Sequence, residues 1–233
     1  MGVSSEESRF SIFDIAGPIM VGPSSSHTAG ACKIGQYARA LFNKTPTKVT
    51  FVLHGSFGEV YKGHATDRAL LGGVMRFRTS DPKIKTSFDI AKEKGIHFEF
   101  KVADLGAQYH ANTVKIILEA PGKKPMSVIG SSIGGGSVEI VKIDDHDVRI
   151  HGVAGKHKTL VCSHDLEVST LPNLLDRISK KKVEIANVET NRVNAHCLSV
   201  IHYDGRRLKT DELVELEQAP GVEFVRCLSK MNA

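Results

Sequence analysis

Ile34, Tyr37, Ala38 and Leu41 recur at the i, i+3, i+4, i+7 spacing of one helical face, which predicts a packed helix over residues 28–42. The run Val49-Thr50-Phe51-Val52-Leu53 is β-branched and apolar, so residues 47–54 read as a strand ending in His54-Gly55-Ser56. A second helix is expected over 66–77, with Thr66 as N-cap and Asp67 in its first turn, and a shorter one over 86–94, closed by Gly95. Phe98 and Phe100 alternate as in a half-buried strand, 97–102. Further strands are expected over 113–119, 126–129 and 138–143, broken by Pro121-Gly122-Lys123-Lys124 and by a glycine-serine loop over 130–137. Upstream, residues 11–21 form an apolar entry segment with Phe13, Ile15 and Ile19.

Residues 144–147 and 152–157 are polar and glycine-bearing, and the boundary between two domains, 1–152 and 158–233, is placed there. The second part repeats strand, helix, strand, strand, helix, strand. Its first strand is 159–163; Leu171, Leu174, Leu175 and Ile178 mark a helix face. Residues 183–189 and 196–203 form a hairpin around 191–194, Thr210 caps a helix with Leu213 and Leu216, and 222–228 closes the sheet. That order is the ferredoxin-like βαββαβ arrangement, so the fold class is α+β: an N-terminal mixed-sheet domain followed by a ferredoxin-like one.

Composition narrows the function classes. The 233 residues carry a net charge of +5, but the basic residues are dispersed apart from Lys123-Lys124 and Lys180-Lys181-Lys182. With no tryptophan and few, isolated tyrosines, stacking platforms are missing, and nucleic-acid binding is not expected. No apolar run reaches the roughly 18 residues of a membrane span. Residues 1–9 are polar and acidic, without the basic and apolar regions of a secretory signal. Cys32, Cys162, Cys197 and Cys227 are scattered through predicted elements, as buried thiols in a reducing cytoplasm would be, and do not form a metal-binding group.

The chemistry concentrates at residues 22–30, Gly-Pro-Ser-Ser-Ser-His-Thr-Ala-Gly, just where the first helix begins. A helix start presents unpaired amides and the positive end of the macrodipole, a natural seat for a carboxylate or phosphate. Ser24, Ser25, Ser26 and Thr28 add hydroxyl donors, His27 a group that can hold a proton near neutral pH, and Gly30 room for close approach of a ligand. Capping alone needs one hydroxyl, Ser26 or Thr28, not this cluster. His54-Gly55-Ser56, Lys62-Gly63-His64-Ala65-Thr66-Asp67 and Tyr109-His110-Ala111-Asn112 have similar chemistry at strand ends and loops. His27, His64 and His110 stand among small or polar residues and are expected to converge on one pocket, whereas His54 ends an apolar strand and reads as packed. Gly134-Gly135-Gly136-Ser137 reads either as a phosphate nest or as a hairpin loop. A pyridoxal phosphate enzyme would also need a Schiff-base lysine, and the lysines, as in Glu93-Lys94, stand in surface-like contexts.

Phe13-Asp14-Ile15, Gly17-Pro18, residues 22–31, Gly55-Ser56 and Lys62-Gly63-His64-Ala65-Thr66-Asp67-Arg68 together resemble the beta subunit of iron-sulfur-dependent L-serine dehydratases. The C-terminal domain is similar to an ACT domain, although the loop 164–170 has Ser169 where an effector-binding loop carries glycine. The resemblance implies conversion of L-serine to pyruvate and ammonia with a 4Fe-4S cluster as Lewis acid. That cluster would be held by a separate alpha subunit, because the four cysteines here do not group. It implies His27 and His64 as catalytic residues, and Ser24, Ser25, Ser26, Thr28, Gly30, Ser56, His110 and Asn112 as substrate-binding ones. The family's His-Pro-Asn pattern becomes His110-Ala111-Asn112 here. Implied partners are the alpha subunit, L-serine and a second copy through the ACT-like domain. The alternative is a non-catalytic regulatory subunit that binds an amino acid.

Overall fold

The computed structural model describes residues 20–152 and 157–228; the entry segment up to residue 19 lies outside them. A π-type helical turn, Ser25–Gly30, runs directly into α1, Ala31–Phe42. The helical chain therefore begins earlier than the apolar spacing indicated. Ser24, not Ser26 or Thr28, is the N-cap: its backbone is extended, and its Oγ accepts the His27 N–H at 3.2 Å. A π turn adds a residue per turn and is found mostly where a helix carries function.

Strand β1 (Lys48–His54) is followed by α2 (Ser56–Val60), α3 (Thr66–Val74), a 3-10 turn (Pro82–Thr86), α4 (Ser87–Glu93) and β2 (His97–Val102). Strands β3 (Thr113–Ala120), β4 (Lys123–Gly134), β5 (Ser137–Ile143) and β6 (His146–Gly152) complete a six-stranded mixed sheet ordered β2-β1-β3-β4-β5-β6. Only β1 and β2 pair in parallel, as expected for strands joined by a helical crossover. Thr66 does not cap α3. Ala65 holds that position in a left-handed conformation, φ 55°, and Thr66 is the first helical residue.

Two segments not expected as strand are strand. β4 continues through Ser131 and Ser132, because Ser131 faces Thr113 across the ladder and the two buried hydroxyls satisfy each other at 2.6 Å. β6 fills residues 148–151, to which the sequence assigns no element, and runs into both polar flanks of the expected boundary. Ile150 is buried against the core while Arg149 and His151 reach outward to Glu139, a period-2 pattern hidden by its polar flanks. The glycine run is the β4–β5 hairpin turn, with Gly134, Gly135 and Gly136 all at positive φ.

The second sheet contains β7 (Lys158–His164), β8 (Val183–Val193), β9 (His196–Gly205) and β10 (Val222–Leu228), with α5 (Thr170–Ser179) and α6 (Thr210–Glu217) between them. Its antiparallel order β10-β7-β9-β8 and βαββαβ connectivity make it ferredoxin-like, and the whole chain α+β. The cap of α6 is Lys209, not Thr210; Glu212 folds back to accept the Lys209 N–H at 2.8 Å. Leu160, Cys162, Ile201 and Tyr203 face Leu174, Ile178 and Leu216 in a core of their own. Val161, Leu198, Val200 and Leu228 instead join the core of the first sheet. The second sheet is thus apolar on both faces, which explains its unbroken Leu160-Val161-Cys162 run.

Helices α1 and α3 cross with the first turns of α1 against the C-terminal half of α3. There the backbones nearly touch: a Cβ on Gly73 would lie 2.0 Å from the Cys32 carbonyl oxygen, and one on Gly35 2.4 Å from that of Leu70. Glycine at both points permits that close crossing.

Candidate active site

Ser24 and the first helical turn, the loop before α3 and the start of α2 meet around His27. Its Nε2 lies 3.1 Å from Ser56 Oγ and its Nδ1 3.4 Å from Ser24 Oγ, so a hydroxyl flanks each ring nitrogen. The ring stands edge-on to His64, centroids 5.0 Å apart, and to Phe57 at 5.4 Å. Burial lowers the His27 pKa from its ordinary value, the neighbouring His64 lowers it further, and a backbone contact at Ser56 opposes both. The shift favours the neutral imidazole, in which one ring nitrogen can accept a proton.

The structure brings together His27, His64, Ser24 and Ser56 among the residues singled out in the sequence. Ser25 and Ser26 are half-buried on the same turn, and among the described residues their side chains have no partner. Thr28 is different. Fully buried, its hydroxyl donates to the His64 carbonyl at 3.1 Å, which removes it from the donors open to a ligand and ties the two helix starts together. Gly30 is also buried, and its close neighbour is Ser132 of β4: a Cβ there would sit 2.1 Å from the Ser132 hydroxyl. Gly30 thus lets β4 pack closely against the helix start. His110 is exposed, and its Nδ1 accepts the Asn112 N–H at 3.0 Å; no ring contact joins it to the His27–His64 pair among the described residues. His54 is largely covered and its Nδ1 accepts the Leu105 N–H at 3.1 Å, a structural role.

The sequence does not single out Ser132, and marks Thr66 only as a cap and a member of its polar cluster. Ser132 is fully buried with an unpartnered hydroxyl, and its N–H donates to the Asn112 carbonyl at 2.9 Å. Thr66, also fully buried, has a hydroxyl without a partner. Asn112 Oδ1 and His64 Nδ1 are likewise buried and unpaired. Unsatisfied buried polar atoms are costly and normally rare; here His64 and Thr66 lie at the entry to α3, Ser132 on β4 beside Gly30, and Asn112 just before β3. The signal for Ser132 was the pair Ser131-Ser132 inside the apolar run from Val128 to Ile133, which only a buried strand accommodates.

Among the described residues, no three His, Cys, Asp or Glu side chains are grouped to hold a metal ion. Burial pushes the Cys32 and Cys162 thiols up to about 12, opposing the thiolate that an iron-sulfur cluster requires. These residues do not fit a cluster.

Comparison with known proteins adds an independent line. The family described as serine dehydratase beta chain matches residues 8–142. The L-serine dehydratase beta chain of Peptoniphilus asaccharolyticus is 42% identical over 79% of this chain and 82% of its own length. A probable L-serine dehydratase beta chain of Bacillus subtilis is 37% identical over 91% and 94%. Among solved structures, the ACT domain from GTP pyrophosphokinase of Chlorobium tepidum covers 31% of this chain and 96% of its own, at 17% identity and a TM-score of 0.26.

Proposed function

The chain belongs to the serine dehydratase beta chain family, and on that premise we propose that it supplies the amino-acid pocket of an L-serine dehydratase completed by an alpha subunit. In this proposal the alpha subunit carries the 4Fe-4S cluster, and no step assigned to this chain runs through it. The amides of the first helical turn and the hydroxyls of Ser25 and Ser26 hold the substrate carboxylate. His27, held between Ser24 and Ser56 with its neutral form favoured, accepts the proton removed from the substrate, and His64, edge-on to it, orients that ring. The unpaired Asn112 Oδ1 and Thr66 and Ser132 hydroxyls offer partners for the polar groups of a bound amino acid.

The single observation that carries the reading is the half-buried His27, its ring nitrogens bracketed by two serine hydroxyls at a helix start. The experiment is reconstitution of His27→Ala with the alpha subunit under anaerobic conditions. Turnover of L-serine is expected to fall by about 10²–10⁴-fold at every serine concentration, the usual contribution of a positioned acid or base. Turnover that survives with altered cooperativity alone would assign the chain to regulation instead.

A further inference from the structure

A cleft of about 470 Å³ lies between the two sheets' helical layers, away from His27, with Gln36, Arg76 and Arg78 on one wall and Arg207, Leu213 and Arg226 on the other. Its charge is one-sided. Arg226 is paired with Glu217, the only carboxylate on its lining, whereas Arg76, Arg78 and Arg207 have no ion-pair partner among the described residues. Behind them, Arg39 is only 9% exposed; its Nη2 donates to Thr45 Oγ1 at 3.0 Å, and its buried Nη1 has no partner. A guanidinium cannot shed its charge near neutral pH, so burying one beside another without a carboxylate is costly. Burial pushes the Arg39 pKa down to about 10, and the nearby Arg76 adds to it. The neighbouring interdomain cleft contrasts with it, since Lys123, Lys124 and Arg226 are there matched by Asp144, Asp145 and Glu223.

We propose that the arginine-lined cleft binds a small dianionic oxyanion that bridges the two halves of the chain. Guanidinium forks match phosphate and carboxylate oxygens, and a cleft of this volume suits a metabolite-sized ligand. With arginines on both walls, binding would fix how the two sheets sit against each other. The proposal is independent of the serine pocket, and its readout is binding to the full chain, not turnover.

Inorganic phosphate and succinate serve as probes, titrated against the full chain in thermal-shift and calorimetric measurements, with chloride matched for ionic strength. Saturable stabilisation by at least one probe is expected, and which one binds separates phosphate from carboxylate as the source. Arg207→Gln and Arg76→Asn test the site; asparagine is chosen because Arg76 sits at φ 67°, a conformation it tolerates. Both arginines are exposed, so folding should survive, and each change is expected to weaken binding about tenfold, the loss of one charge-assisted contact. No saturable effect beyond that of chloride, or binding unchanged in both variants, would overturn the proposal.

Discussion

At the scale of single residues, the sequence and the structure agree best where chemistry is densest. The sequence singles out His27, Ser24 and Ser56 for their polar chemistry, and the structure places them against one another. Thr28 and Gly30 also serve close packing, as the same small residue types often do, and only the fold reveals that Thr28 faces the His64 carbonyl and Gly30 faces Ser132. The depressed pKa of His27 has a measurable consequence. The unfolded chain takes up a proton as pH falls through about 6.5, the ordinary histidine value, while the folded chain resists it to lower pH. The stability contributed by His27 is therefore complete above that pH and is lost as pH falls through the folded value. His202, whose pKa burial also lowers, acts in the same direction. Urea denaturation at pH 7 and pH 5 should show the wild type losing more stability than His27→Gln, which cannot titrate. Equal losses would mean that His27 is protonated as readily in the fold as outside it.

At the scale of elements, α1 and α3 cross closely through glycine. Gly73→Ala sets two effects against each other. Alanine in a helix gains about 1 kcal/mol of intrinsic propensity, but overpacking costs about 3 kcal/mol, and here the obstacle is the Cys32 carbonyl, a backbone atom that cannot rotate away. A net loss of about 2 kcal/mol is expected by chemical denaturation. A neutral or stabilising substitution would contradict the close crossing. Nothing in the spacing of Leu70, Leu71 and Val74 announces this contact, since a glycine in a helical pattern reads as a weakness until its partner is known. Periodicity located β1, β2, β3, β5 and the elements of the second sheet, whose apolar faces are regular. It failed at β4 and β6 for an opposite reason in each: Ser131 and Ser132 are buried but polar, and β6 is ordered by cross-strand pairing within a segment rich in charge. The short α2 has too few residues to display a period at all.

At the scale of the whole molecule, the division into two parts visible in the sequence understates how closely they are joined. Val161, Leu198, Val200 and Leu228 from the second sheet lie in the same core as Leu41, Phe42 and Met126 from the first. Arg226 pins the seam: its Nε donates to the Leu41 carbonyl at the end of α1 at 3.2 Å, and its Nη1 reaches both the Glu217 carboxylate and the Val225 carbonyl. Two separately folded units would melt in two steps, whereas a shared core should give one cooperative transition for the full chain. Arg226→Ala leaves Glu217 without its partner and opens the seam, at an expected cost of about 3 kcal/mol. Because the bond to Leu41 also falls away, the transition should broaden or split, with the second sheet lost first, having given up its link to α1 while keeping its own core of Leu160, Ile201 and Tyr203. Guanidinium denaturation followed at once by far-ultraviolet circular dichroism and by amide exchange resolved along the chain distinguishes the cases. If the variant retains one transition with unchanged steepness, the seam is held by the apolar contacts alone, and Arg226 is free to act chiefly on the cleft it lines.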